Sequence, residues 1–277
     1  MLTRTLLTTS LIVGLAAPVM AEIPANIAAE SDPVAKGLLI AQESDARNSG
    51  YVDSESDMKM LLTNQHGDTA ERTMRQRVLE NPDPADGDKS LIVFDNPRDV
   101  KGTVMLTYAH HLDPDDQWLY LPSIKKKKRI SSANKSGPFM GSEFAYEDLA
   151  SSEIQKYSYK FLRDEPCGGA EVAERTCHVV ARYPLYERSG YTKQLVWIDT
   201  VDYQQRKVEF YDRQDAHLKT LKVTEYYLIN DRFWRPARFY MVNHKTGKHT
   251  ELVWTSIKLG VGLNDADFNK SRLGSIR

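Results

Sequence analysis

LKVTEYYLINDRFWRPARFYMVNHKTGKHTELVWTSIKL, Leu221 to Leu259, holds three strand-like runs in direct succession. LKVTEYYLI, FWRPARFYMV and ELVWTSIKL are rich in β-branched and aromatic residues, which suit a pleated surface. Asn230-Asp231 and Thr246-Gly247 interrupt them with turn chemistry. Strands joined by such short turns pair antiparallel, as a meander. The pattern extends upstream through KSLIVFD, TVMLTYAHH, QWLYL, KKRIS, EIQKYSYKFLR, CHVVARYPLY, TKQLVWID and RKVEFYD, with Asn96-Pro97, Asp113-Pro114 and Ser189-Gly190 as breaks. SDMKMLLTN and AERTMRQRVLE flank His66-Gly67-Asp68 as a hairpin, with Met58, Met60 and Leu62 on one side. A sheet of about a dozen strands curls, closes or splits. The expected fold is mainly β: a large, strongly curved antiparallel sheet forming an incomplete barrel, a shape that encloses an apolar hollow.

One helix precedes the strands. Asp32 caps it, Pro33 suits its first turn and Gly50 marks its end. Val34, Leu38 and Ala41 share a face, with Leu39 beside them, so the helix is expected to lie on the concave side of the sheet.

The chain opens MLTRTLLTTSLIVGLAAPVMAEIPA, with one cation, a short apolar run and small residues before Glu22. This reads as a signal peptide over residues 1–21, leaving a single domain over 22–277 exported to the periplasm. The apolar run is too short to span a bilayer comfortably, and nothing later is apolar enough. The formal net charge is -1, which argues against a general polyanion binder and against nucleic acid. Cys167 and Cys177 are the only cysteines. In an oxidising compartment they read as a disulfide.

The middle, SANKSGPFMGSEFAYEDLASS, is irregular. Gly137-Pro138 and Gly141 break regular structure, and Ser142 suits the start of a short helix through Leu149. Phe139 and Met140 are either tucked onto the core or carried on a mobile lid facing a ligand.

KGTVMLTY (Lys101–Tyr108), DDQWLYLPSIKKKKRIS (Asp115–Ser131) and SGPFMGSEFAYEDL (Ser136–Leu149) resemble the signature blocks of the LolA-like outer-membrane lipoprotein-sorting proteins of bacteria. Gly141-Ser142-Glu143-Phe144 stands where that family usually carries Gly-Thr-Asp-Phe, keeping a hydroxyl and a carboxylate. The resemblance implies a LolA/LolB-like incomplete barrel with a helical lid over an apolar cavity. It further implies periplasmic carriage of a lipid or the acyl chains of a lipoprotein towards the outer membrane, together with a transporter of the resistance-nodulation-division (RND) type. It implies no catalytic residue, and no cofactor is expected. The candidate wall and lid residues are Leu38, Leu39, Trp118, Tyr120, Phe139, Met140 and Phe144.

Lys125, Lys126, Lys127, Lys128 and Arg129 form an unbroken cationic run. Alternation sends Lys126 and Lys128 to one face with Ile130, and Lys127 and Arg129 to the other. Unpaired cations cannot line an apolar cavity without a large desolvation cost. They either snorkel to the rim or pair with Glu143, Glu147 or Asp148, and they suit lipid headgroups, a transient membrane contact or an acidic partner. HHLDPDD, His110 to Asp116, gathers potential metal ligands, but adjacent residues on a strand face opposite ways and Asp-Pro-Asp is turn chemistry. The reading is therefore a non-enzymatic carrier. The alternatives are a non-catalytic adaptor of a membrane transporter and an exported metal-dependent hydrolase.

Overall fold

A computed structural model of the chain describes residues 23–81, 83, 86–150, 153–169 and 174–276. The expected export segment 1–21 lies outside them. Two helices, α1 (Ala25–Ala29) and α2 (Pro33–Asn48), lead into the strands. The first meander is β1 (Asp53–Thr63), β2 (Thr69–Leu79), β3 (Lys89–Asn96), β4 (Val104–Tyr108), β5 (Asp116–Leu121) and β6 (Lys126–Ile130). The second is β7 (Tyr157–Pro166), β8 (Thr176–Pro184), β9 (Tyr191–Asp199), β10 (Gln205–Asp212), β11 (His217–Ile229), β12 (Phe233–Asn243) and β13 (His249–Leu259).

All belong to one 13-stranded sheet of order β6-β5-β4-β3-β2-β1-β13-β12-β11-β10-β9-β8-β7. Each meander zips through its own turns. The two are sewn together by antiparallel pairing of β1 with β13, with Met60 opposite Leu252. β6 and β7 end the sheet without pairing to each other, so the barrel is incomplete, as the sequence predicts.

Both faces are covered in places, and alternation sorts them. Along β3, Ile92 and Phe94 face the main core while Leu91 and Val93 face a second cluster. This explains why KSLIVFD reads as a continuous apolar run rather than an alternating one. The main core gathers Met58, Met60, Met74, Val180, Val196, Val223 and Met241 of the sheet with Ile40 and Ala41 of α2. On the opposite face Phe268 and Leu273, from 3-10 turns after β13, pack on Leu91, Val93, Val104, Leu106 and Trp118. Tyr108 Oη donates to the Phe268 carbonyl, which fixes this strap.

α2 starts where its sequence dictates: the Asp32 carboxylate accepts from Val34 N and Ala35 N, with Pro33 at the first helical position. Its buried face differs from the expected one. Gly37, Ile40 and Ala41 are buried, whereas Val34 and Leu38 are 54% and 38% exposed. The reason is Gly37. A Cβ there would lie 2.6 Å from Phe161 N of β7, so only glycine lets the helix come this close, and the close approach sets its rotation.

Candidate binding cavity

The inner face of the sheet is not filled. A hollow of about 850 Å³ lies between α2 and the strands of the second meander. Its apolar wall is Val180 of β8, Val196 and Ile198 of β9, Val223 and Tyr226 of β11 and Phe239 of β12, with Tyr159 of β7 and Ala41 of α2. A smaller hollow of about 240 Å³ continues under the first meander, lined by Met58, Met60, Met74, Ile92, Phe139 and Trp254. Tyr51, Asp88 and Phe239 line both.

One side of the larger hollow is polar. Arg235 stacks over Tyr51 at 4.3 Å and donates to the Asn48 carbonyl at 3.0 Å, with burial lowering the affinity of its guanidinium for its proton. Glu80 holds the turn before β1 by accepting from Gly50 N and Val52 N. Burial pushes the Asp88 carboxyl up to about 6, an effect that Glu153, Glu80 and Asp45 add to and the Asn81 amide opposes. Asp45 is raised by burial too, then by Glu153 and Glu80. Ser44 of α2, at the wall, donates to the Tyr203 carbonyl. Among the described residues no group of three His, Cys, Asp or Glu side chains is placed to hold a metal ion. The hollow thus combines an apolar wall with a charged side that carries Asp45, Glu80, Asp88, Glu153 and Arg235.

The predicted wall residues divide. Phe139 lines the smaller hollow, fully buried, with Phe94 at 5.7 Å and Tyr146 at 5.5 Å between ring centroids. Phe144 is buried against Phe239 and reaches the wall only through it. Met140 packs on the core and Leu39 touches it from α2. Leu38 is on the exposed side of the helix. Trp118 and Tyr120 sit on the other face of the sheet, against the Phe268–Leu273 strap. The apolar wall of the larger hollow comes mostly from β8, β9, β11 and β12, and nothing in those residue types distinguishes a wall from a filled core.

Of the two readings open for residues 136–149, the tucked loop describes what is seen. Lys219 Nζ donates to Asp148 Oδ2 at 2.5 Å and to the Glu143 carbonyl at 3.0 Å, in a pair with both side chains no more than 5% exposed. Glu147 accepts from Gly190 N, Ser189 Oγ and Tyr186 Oη; burial raises its carboxyl, Asp148 adds to this and these donors oppose it. Gln117 Nε2 donates to the Tyr146 carbonyl and Glu143 N to Thr250 Oγ1. The expected helix from Ser142 shrinks to a 3-10 turn over Tyr146–Leu149, because the Ser142 hydroxyl donates to the Phe139 carbonyl and Asp148 caps Ala145 N. The helical element over the inner face is α2.

Glu143, Glu147 and Asp148 are thus engaged elsewhere and do not neutralise the cationic run. Lys125 to Arg129 are all exposed. Arg129 pairs with Asp116, and Lys127 Nζ donates to the Lys270 carbonyl at 3.1 Å. Cys167 and Cys177 form the expected disulfide. In HHLDPDD, His110 Nδ1 meets Asp86 at 2.6 Å and His111 Nε2 meets Glu153 at 3.2 Å, so the two imidazoles have separate partners.

A protein-family model described as "Uncharacterized protein" matches residues 86–275. A structure from Vibrio parahaemolyticus, named for an outer membrane lipoprotein-sorting protein domain, is 49% identical with a TM-score of 0.82, covering 87% of this chain and 99% of that one. The chain belongs to the LolA-like lipoprotein-sorting family. A DUF1329 family protein from Desulfovibrio piger is 28% identical with a TM-score of 0.81, covering 88% of this chain and 100% of its own. A LolA superfamily protein from Nitrosomonas europaea, 22% identical with a TM-score of 0.65 over 85% of this chain and 98% of its own, shares the fold. No curated protein matches the sequence.

Proposed function

We propose that this LolA-like protein is a non-catalytic periplasmic carrier, a single domain over residues 22–277. It shelters an acyl chain of a lipid or lipoprotein and passes it towards the outer membrane in concert with an RND-type transporter. The observation that carries this reading is the hollow of about 850 Å³ walled by Val180, Val196, Ile198, Val223 and Phe239. Its size falls within the range of small-molecule sites, roughly 300–1,000 Å³. Each methylene moved from water into it contributes about 0.8 kcal/mol. The unfilled interior favours a carrier over an adaptor packed solid with its own side chains. With residues 136–149 fastened, passage in and out lies beside α2, whose Ser44, Asp45 and Asn48 line the hollow.

The test is titration with a fluorescent long-chain fatty acid, followed by mass spectrometry of lipids co-purified from the periplasm. The parent protein binds the probe, and Val196→Phe together with Val223→Phe, which narrow the hollow at its apolar wall, weakens binding at least tenfold. A parent protein that takes up no acyl probe and carries no lipid overturns the reading.

A further inference from the structure

The hollow makes no use of the edge strand β6 or of the turn leading into it. Lys125, Lys126 and Lys128 are exposed, and among the described residues their side chains make no hydrogen bond or ion pair. Between them and Pro122 stands Ile124, 48% exposed. Lys125 holds φ at 50°, a left-handed conformation uncommon for a lysine, at the corner that turns the chain back into β6. The turn between β3 and β4 lies alongside. Pro97, Arg98, Asp99, Lys101, Pro122 and Ser123 line one shallow depression, which brings Arg98 and Lys101 to the same tip against the single carboxylate of Asp99. A chain of formal charge -1 thus concentrates cations around one apolar side chain.

We propose that this tip docks the protein on an anionic lipid bilayer, with Lys125, Lys126 and Lys128 among the headgroups and Ile124 dipping beneath them. The chemistry favours a bilayer over a shaped acidic protein. Lysines are flexible point charges, suited to a diffuse anionic surface, whereas fixed carboxylates on a partner are better met by the planar fork of arginine. The free cations of the run are all lysine and none is held in place. Charges near an anionic membrane act additively, and one apolar side chain alone is too weak an anchor, which fits reversible contact. A lysine-rich edge also discourages strand-to-strand association between molecules. Lys→Glu substitutions keep that protection and reverse only the attraction to lipid. The inference goes beyond the carrier reading and does not depend on it.

The experiment is co-sedimentation of the purified chain with vesicles of phosphatidylglycerol and phosphatidylcholine, against vesicles of phosphatidylcholine alone. The protein is expected on the anionic vesicles only and to be released by high salt. Lys125→Glu, Lys126→Glu and Lys128→Glu together lower the partition coefficient by at least about 100-fold. Ile124→Asp lowers it several-fold, and the emission of Ile124→Trp shifts to the blue when anionic vesicles are added. Thermal melts confirm that each variant is folded, and uptake of the fatty-acid probe without vesicles is unchanged. Equal binding to neutral vesicles, or full binding by the triple variant, overturns the proposal. So does a tip that captures a transporter's acidic periplasmic domain but no vesicle, which assigns the surface to a protein instead. Loss of probe uptake by the parent with vesicle binding intact sinks the carrier reading and leaves this one standing.

Discussion

Replacing Gly37 with alanine tests how α2 is seated. In a free helix the change favours the folded form by about 1 kcal/mol, since glycine is the poorer helix former. Here the added Cβ meets Phe161 N at 2.6 Å and the carbonyl carbon and nitrogen of Lys160 at 2.8 Å. All three are backbone atoms of β7 and cannot swing aside as a side chain would. The helix must retreat by a sizeable fraction of an ångström, loosening Ile40 and Ala41, which are 0% and 7% exposed. Overpacking of this kind costs about 1–3 kcal/mol, and more where backbone resists. The net effect is a loss of about 1–2 kcal/mol despite the gain in helix propensity. For a domain of this size that lowers Tm by about 3–6 °C. Circular dichroism melts measure it, and the fatty-acid probe reports in parallel on the hollow, because Ala41, Ser44 and Asn48 of the same helix line it. A Tm equal to or above that of the parent would mean that propensity alone governs the site, and the close seating of α2 on β7 would be refuted.

Three further outcomes are expected. Lys219→Met, which strands the buried Asp148 carboxylate, destabilises the protein by about 3–5 kcal/mol in urea unfolding, whereas Lys219→Met with Asp148→Leu recovers much of the loss; equal losses in the single and double variants would argue against a coupled pair. Asp88 has a folded pKa of about 6 against an ordinary 3.8, so the native state holds this proton longer than the unfolded chain does. Its contribution to stability therefore falls as pH rises from about 4 to about 6 and is level above. Asp88→Asn flattens that slope and is the more stable protein at pH 7, with the difference closing below pH 4; parallel stability curves refute the assignment. Phe268→Ala, at the fully buried foot of the C-terminal strap, costs about 3–5 kcal/mol and raises binding of an apolar dye as the outer cluster opens; unchanged dye binding would show that the strap does not seal it.

The strands were legible because each is bounded by residues whose chemistry forces a turn. Asn96-Pro97 closes β3, and Ser189-Gly190, Asn230-Asp231 and Thr246-Gly247 fall between observed strands. The pairing of β1 with β13 left no such mark, since contact between the two ends of a meander is written in no local pattern. The face of α2 was misjudged by periodicity because its deepest position is Gly37, which no hydrophobicity count registers. Trp118 and Tyr120 alternate with Leu119 and Leu121 in a strand that is apolar on both sides. Which pair faces the inside depends on a C-terminal strap some 150 residues downstream. The walls of the hollow were hidden for a deeper reason: Val180, Val196 and Val223 look the same whether a protein neighbour or an empty volume stands opposite them.

The seam between β1 and β13 also dictates an order of assembly. Hairpins within each meander close between sequence neighbours, while the seam joins strands near opposite ends of the described chain. Such distant pairing is slow, and it follows the local closures. Until it forms, the first hairpin waits with one side of β1 bare, a surface open to mispairing with other molecules. Removing the final strand would therefore yield two disconnected half-sheets, not a smaller version of the same vessel.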